Sequence, residues 1–467
     1  MTETISYKAL MASQPAARPD TMRPAIARAF RESGKSIVVL DDDPTGTQTL
    51  CDVPVITEWS VEALAAEAAA ATPLFFVLTN SRSLTASQSG TLHQQIAQNV
   101  KAAFAKCDRD FIVVSRSDST LRGHYPLEVE VLQQYIYGSE EKGIRKFVVP
   151  AFFEGQRLTV ADTHYIKDHN QLLPVAASMY AQDKYFAYRQ SNLKAWIEEK
   201  SGGRIGRDQV HSFSLELLRT ADPDTVAQKI RQLPPDATAI VNAVNYRDLD
   251  AFALAFWTAG VKALFRSAAS LLPPLIGQAT RAPLQAHELQ RDPTRGALLV
   301  VGSYVDKTTR QLRQLQKDHK LANFEIDVNT LLEQSDNLPA AVDLAKAADE
   351  KIRAGENVLI YTSRRLYSST QKDENLKIGQ RVSNHLIQIV QQLSIAPRFL
   401  LAKGGITSSD IATQGLGIRR AMVLGQVLPG VPVWQSPSDS KFAEMPYIVF
   451  PGNVGSDRAL SEVLNKF

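Results

Sequence analysis

Residues 36–49 read SIVVLDDDPTGTQT. Ser36 to Leu40 form a β-branched and aliphatic run, predicted as a short strand, and the run stops at three carboxylates, a proline and a Thr-Gly turn. A strand apolar at every position belongs to a sheet buried on both faces. In open α/β sheets ligands sit outside the carboxyl ends of the strands, so Asp41, Asp42 and Asp43 stand where a site is expected.

The pattern repeats outward from this stretch. An Ala-rich helix (VEALAAEAAAA), a strand (PLFFVLT), a helix (LHQQIAQNVKAAFAK) and a strand (FIVVS) follow, a βαβαβ series that predicts a mostly parallel sheet. Further strands are predicted at Lys146–Ala151 and Thr238–Val244, with a helix near Thr225–Gln232 between them. Residues 1–33 are polar and Pro-containing and read as an N-terminal arm, with a short helix around Ile26–Glu32. Between Leu271 and Gly296 prolines and polar residues interrupt every period, which predicts a linker. The α/β rhythm then restarts with ALLVVGS and runs through NVLIYTS, RFLLAKGG and PYIVFPGNVG. The expected fold is α/β: two three-layer domains with mostly parallel sheets, over 34–270 and 297–467, joined by a linker at 271–296.

The 467-residue length suits two large domains, and 44% apolar with 22% charged residues is a globular composition. A net charge of +3, without Lys/Arg runs interleaved with aromatics, argues against nucleic acid as partner. Cys51 and Cys107 are too few for a disulfide framework or a Cys-based zinc site. No apolar run approaches the roughly 18 residues of a membrane span, and the first twenty residues lack the apolar core of a signal peptide. These features predict a cytoplasmic protein without membrane contact.

Three packed carboxylates are costly unless cations or hydroxyl donors answer them. A solvated acidic loop is the plain reading. The spacing Asp41, Asp43, Thr45, Gly46, Asp52 imitates a calcium-binding loop, but a strand precedes it, Pro44 intrudes and position 12 is Asp. An apolar strand followed by Asp-x-Asp-x-Thr also resembles the nucleophile loop of haloacid-dehalogenase-type phosphatases, with Asp41 attacking phosphorus, Asp43 as acid/base and Thr79 in the second motif. That reading leaves everything after Val300 without a role.

A second strand end carries Ser115 to Glu128, SRSDSTLRGHYPLE, where Arg116, Asp118, Ser119, Thr120 and Arg122 crowd together. Two guanidiniums there suit an anionic substrate, since the planar fork of Arg matches a carboxylate; an internal Arg–Asp pair is the bland alternative. A third, VPAFFEGQRLTVADTHYI, brings Arg157, Thr159, His164 and Tyr165. In the C-terminal half, Gly302-Ser303, Lys403 to Asp410 (KGGITSSD) and Pro451 to Gly455 (PGNVG) each follow a strand. Each alone reads as a helix cap; together they read as a nucleotide pocket, without a Walker or a GxGxxG motif.

Taken together these stretches resemble the four-carbon acid sugar kinase family. The motifs stand as Asp42-Asp43-Pro44-Thr45-Gly46, Asp118 to Gly123, Pro150-Ala151-Phe152, Gly302-Ser303, Gly404 to Thr407 and Gly452 to Gly455. The chain departs from the family in the third acid Asp41, in Pro44 for an aromatic, in Ile406 where an acid is frequent, and in Pro451 and Val454. The resemblance implies an N-terminal domain for a sugar acid, a C-terminal domain for ATP, and an active-site cleft between them. Family substrates include threonate, erythronate, 3-oxo-tetronates and branched oxo-acids such as 3-oxo-isoapionate. On this footing Asp43 or Asp42 takes the proton of the acceptor hydroxyl. Asp41, Arg116, Asp118, Ser119, Arg122 and His164 are expected to bind the substrate, the two arginines holding its carboxylate. Ser303, Gly404, Gly405, Ile406, Thr407 and Gly452 are expected to bind ATP, with Mg²⁺ bridging its phosphates; no residue is assigned to metal. The partners expected are a small sugar acid and ATP, and the candidate assembly is a homodimer.

Overall fold

The computed structural model of the chain describes residues 4–138, 143–289, 292–303, 305–333, 338–364 and 372–467. Two compact units emerge, one taking the chain up to Leu50 and Glu58–Thr280, the other Cys51–Thr57 and everything from Arg281.

The main sheet of the first unit is built from β1 (Ser36–Asp41), β2 (Leu74–Leu78), β3 (Phe111–Arg116), β4 (Arg145–Val149), β5 (Val210–Phe213), β6 (Thr238–Val241) and β7 (Ala263–Ser267). They lie in the order β5-β6-β4-β7-β3-β1-β2, every pairing parallel. All residues of β1, β2, β6 and β7 are buried, as a sheet covered on both faces requires. β1 and β2 carry the predicted apolar runs. β5 and β7 escape the hydrophobic pattern because VHSF and ALFRS include polar residues; Arg266 and Ser267 of β7 are buried, and His211 and Ser212 of β5 are half-buried. The chain goes from β1 to β2 on one side and then crosses to β3 on the other, so the strand order reverses at the carboxyl end of β1, the place where open α/β sheets receive ligands.

The predicted arm is built into this unit. Ile26 and Phe30 of the helix Arg23–Glu32 are buried, and Ile5–Ser6 pairs with Gln171–Leu172 at the edge of a small antiparallel sheet formed by Arg157–Val160, Thr163–Asp168 and Gln171–Pro174. The start of the predicted linker is also core. Leu272–Ile276 is a helix with Pro273 and Pro274 in its first turn, where a missing N–H costs nothing, and Leu271, Leu272 and Leu275 are fully buried. Residues 290 and 291 of that stretch lie outside the described residues.

The second unit holds β8 (Leu298–Val301), β9 (Ala322–Ile326), β10 (Val358–Thr362), β11 (Leu400–Lys403), β12 (Arg420–Leu428), β13 (Val431–Gln435) and β14 (Pro446–Phe450). β14-β11-β8-β10-β9 are parallel, and β12 and β13 extend this sheet antiparallel. The strand Val53–Ile56 pairs antiparallel with β12 and so belongs here, although it follows the acidic loop in sequence. β8 sits between β10 and β11, which places a second order reversal where Gly302 and Gly404 emerge.

Candidate active site

The first cluster grows from β1. Asp41 ends the strand; Asp43 caps the short turn Pro44–Thr47, its Oδ1 accepting the Thr45 amide at 2.8 Å and the Thr45 hydroxyl at 2.5 Å. Three guanidiniums answer the acids. Arg116 Nη1, from the end of β3, lies 3.0 Å from Asp41 Oδ1 and 3.7 Å from Asp42 Oδ1. Arg82, four residues beyond the end of β2, pairs with Asp43, reaches Asp42 Oδ1 at 3.5 Å and Asp118 Oδ1 at 3.3 Å. Arg122 Nε lies 2.8 Å from Asp118 Oδ2. Ser117 Oγ donates to Asp42 Oδ2 at 2.9 Å.

The three aspartates are therefore not equivalent. Burial, helped by Asp42 and Asp43 and opposed by Arg116, pushes Asp41 up to about 7. Burial also raises Asp42. At Asp43 burial acts upward too, but Arg82, the Thr45 hydroxyl and Arg116 outweigh it and hold the carboxyl below its usual range. The Asp43 side chain is 20% exposed and that of Asp42 2%. Asp43 is thus the ionised carboxylate at the rim, and Asp42 lies beneath it. Asp118, against its own burial, is held low by Arg122 and Arg82.

The loop 117–123 is shaped to present these groups. Gly123 has φ +124°, and a β-carbon there would come within 2.4 Å of Ser117 Oγ. Leu121, fully buried, takes a left-handed φ of 68°, a strained choice for such a residue. Buried Arg266 donates to the Asp118 carbonyl at 2.9 Å and supports the loop from below.

Several predicted site residues turn inward. His164 is fully buried: Nε2 lies 2.7 Å from the Ser119 carbonyl and Nδ1 2.9 Å from the Thr159 hydroxyl. Burial pushes its pKa down to about 4, so the ring is neutral and fastens the loop through Ser119; no ring nitrogen is left for a ligand. Arg116 is spent on Asp41 and Asp42 and does not offer its fork to a substrate carboxylate. Asp41 is 1% exposed and packs against Gly46, where a β-carbon would sit 1.8 Å from its Oδ2. The phosphatase reading needs Asp41 free to attack phosphorus and Thr79 free beside it. The Thr79 hydroxyl instead donates to the Asp41 carbonyl at 2.9 Å, so that reading is set aside. The calcium reading fails likewise, since Asp41 faces Arg116 and Thr45 bonds to Asp43.

Arg82 and Ser117 were not among the residues singled out from sequence. Arg82 lies in LTNSRS at the carboxyl end of β2, so the strand-end rule that found Arg116 would have found it too.

In the second unit the three glycine turns meet at neighbouring strand ends. Ser303 N donates to the Lys403 carbonyl at 3.3 Å, and Gly404 N to the Phe450 carbonyl at 2.9 Å. The Thr308 hydroxyl lies 3.2 Å from Ser303 Oγ and 3.3 Å from the Gly452 carbonyl. A β-carbon on Gly302 would come within 2.3 Å of Thr407 Oγ1. Gly405 opens the helix Gly405–Asp410, and Ile406 is 64% exposed on it. Lys403, to which sequence gave no role, is fully buried; its Nζ donates to the Pro451 carbonyl at 3.0 Å over the Phe450 ring. Burial and nearby Lys307 push its pKa well down.

No curated protein matches the chain. Among the solved structures that share its fold are two at similar identity. One is a Haemophilus influenzae protein of the DUF1537 family, at 15% identity and TM-score 0.60, covering 92% of this chain and 100% of its own. The other, from Salmonella typhimurium LT2 and provisionally named a tRNA synthase, has 16% identity and TM-score 0.66, covering 92% and 99%. The family profile of a sugar-binding N-terminal domain matches residues 37–275, and that of a nucleotide-binding C-terminal domain matches 298–460. The acid–guanidinium cluster falls within the first match and the glycine turns within the second, and the chain belongs to the four-carbon acid sugar kinase family.

Proposed function

We propose that the protein is an ATP-dependent kinase that phosphorylates a hydroxyl of a small four-carbon or branched sugar acid, or a 3-oxo sugar acid, in carbohydrate catabolism. The observation that carries this reading is Asp43: an ionised carboxylate at the rim of a sugar-binding domain, kept charged by Arg82 and fixed by Thr45. Phosphoryl transfer asks little covalent chemistry of the protein. It asks for alignment, charge neutralisation and an acceptor for a proton that leaves late, which an ionised carboxylate can be. Asp43 takes the proton from the acceptor hydroxyl. Asp42, clamped by Ser117 and Arg82, keeps Arg82 in place, and Arg122 with Asp118 binds the substrate.

The glycine turns fit a nucleotide. The hydroxyls of Ser303 and Thr308 stand 3.2 Å apart at the carboxyl ends of neighbouring strands, and the absent β-carbons at Gly302 and Gly404 let Thr407 and Ser303 pack close beside them. Ser303, Gly404, Gly405, Ile406, Thr407 and Gly452 hold ATP there. ATP supplies the phosphoryl group, with Mg²⁺ neutralising its charge. The carboxylates around Asp43 are already answered by guanidiniums, so the ion fits on the nucleotide's phosphates and not on this cluster. A cytoplasmic setting accords with two cysteines held in no disulfide, and no described helix is long and apolar enough to cross a membrane.

The test is incubation of the pure protein with Mg-ATP and a panel of four-carbon acids and their 3-oxo forms, following ADP. Release that depends on the acid supports the proposal; no acid-dependent ADP across the panel overturns it.

A further inference from the structure

Arg157 opens the strand Arg157–Val160, its amide bonded to the Phe152 carbonyl at 2.8 Å and its carbonyl to the Phe152 amide at 3.0 Å. Its guanidinium carbon lies 5.8 Å from the centroid of the Tyr180 ring, and that of Arg122 lies 5.1 Å from the same ring. Both distances fall within the roughly 6 Å at which a cation gains from an aromatic face. The two arginines differ in how their charge is met. Arg122 has Asp118 at 2.8 Å and Asp183 at 3.6 Å. Arg157 pairs with no carboxylate among the described residues: Nη1 donates only to the Gly155 carbonyl in its own loop, and Nε is buried without an acceptor.

The side chain is set in this place by its surroundings. A β-carbon on Gly155 would come within 2.4 Å of Arg157 Nη1 and of the Phe152 ring, so the loop leaves the guanidinium its berth. Met179 and Tyr185, 79% and 71% exposed, stand either side of Tyr180 in sequence, so the segment carrying the ring lies at the surface. A half-buried guanidinium without an anion is costly, and its planar fork matches a carboxylate in two parallel bonds. Of the two guanidiniums that the sequence pattern nominates for this task, Arg116 is held by Asp41 and Asp42, and Arg122 by Asp118 and Asp183.

We infer that Arg157, beside Arg122 on the Tyr180 ring, binds the carboxylate of the acid substrate. The naming of a sugar acid rests on the kinase reading; the assignment of a carboxylate rests on the geometry.

Two measurements test it. In steady-state kinetics with the best acid of the panel, Arg157→Met raises the acceptor KM at least tenfold and leaves the ATP KM within twofold. With the primary amide of that acid as acceptor, variant and wild type have equal KM. In melting experiments without ATP, the acid raises the melting temperature of the wild type and not of Arg157→Met. Where Arg157→Met does not fold, Arg157→Lys carries the test, with acceptor KM raised threefold to tenfold because the charge stays and the fork is lost. A folded variant with the wild-type acceptor KM overturns the inference, as does a wild type that no acid stabilises. Failure of the kinase reading looks different: acids stabilise the wild type through Arg157, and no ADP appears.

Discussion

Arg116 Nη1 lies 3.0 Å from Asp41 Oδ1, with both side chains almost wholly buried, yet burial holds the Asp41 carboxyl up near 7. The folded-state pKa is above the unfolded one, so between about pH 4 and pH 7 the native state binds more protons, and stability attributable to this group falls as pH rises through that window. Asp41→Asn removes that dependence. The melting temperature of the variant, relative to wild type, rises from pH 4 to pH 7 and is flat above; a constant difference across the range contradicts it.

Asp43 is ionised and at the rim, whereas Asp42 is buried beneath. Asp43→Asn is expected to lower kcat by about 10²–10⁴-fold, the usual worth of a positioned proton acceptor, with the ATP KM nearly unchanged. Asp42→Asn is expected to lose less, acting through Arg82. Near-full turnover in the Asp43 variant removes the assignment.

Arg82 touches three carboxylates. Truncating one partner of a buried ionic network leaves charge unanswered, at a cost of about 3–5 kcal/mol. Arg82→Met should therefore unfold at lower denaturant at pH 7. Without the guanidinium the pKa values of Asp43 and Asp118 rise, so acidification neutralises them and the gap to wild type narrows toward pH 4. Denaturant titrations at the two pH values check both magnitude and sign.

Gly302 gives a separate handle on the second unit, where a β-carbon would strike Thr407 Oγ1. Gly302→Ala should displace the 404–407 turn and weaken ATP binding at least tenfold by calorimetry. Acid-induced stabilisation measured without ATP should persist.

The sequence by itself determined the class of fold and the placing of its chemistry. Short, β-branched apolar runs such as SIVVL and ALLVV, bounded by turn residues, read as strands buried on both faces, and a strand end followed by acids or glycines puts those groups where parallel sheets receive ligands. The glycine turns at 302, 404 and 452 were legible for that reason, as were Asp42, Asp43, Asp118 and Arg122. Pairing between residues distant in the chain was not legible. Whether Arg116 or Arg82 faces the rim depends on which carboxylate each meets across the sheet, and His164 looks available until Thr159 and Ser119 fill both its nitrogens. Val53–Ile56 leaves its sequence neighbours for the second unit because β12 offers an edge to pair with. Local pattern fixes periodicity and strand ends; burial and charge pairing are set by contacts over tens to hundreds of residues, and these decided which of the three acids keeps a partly exposed side chain.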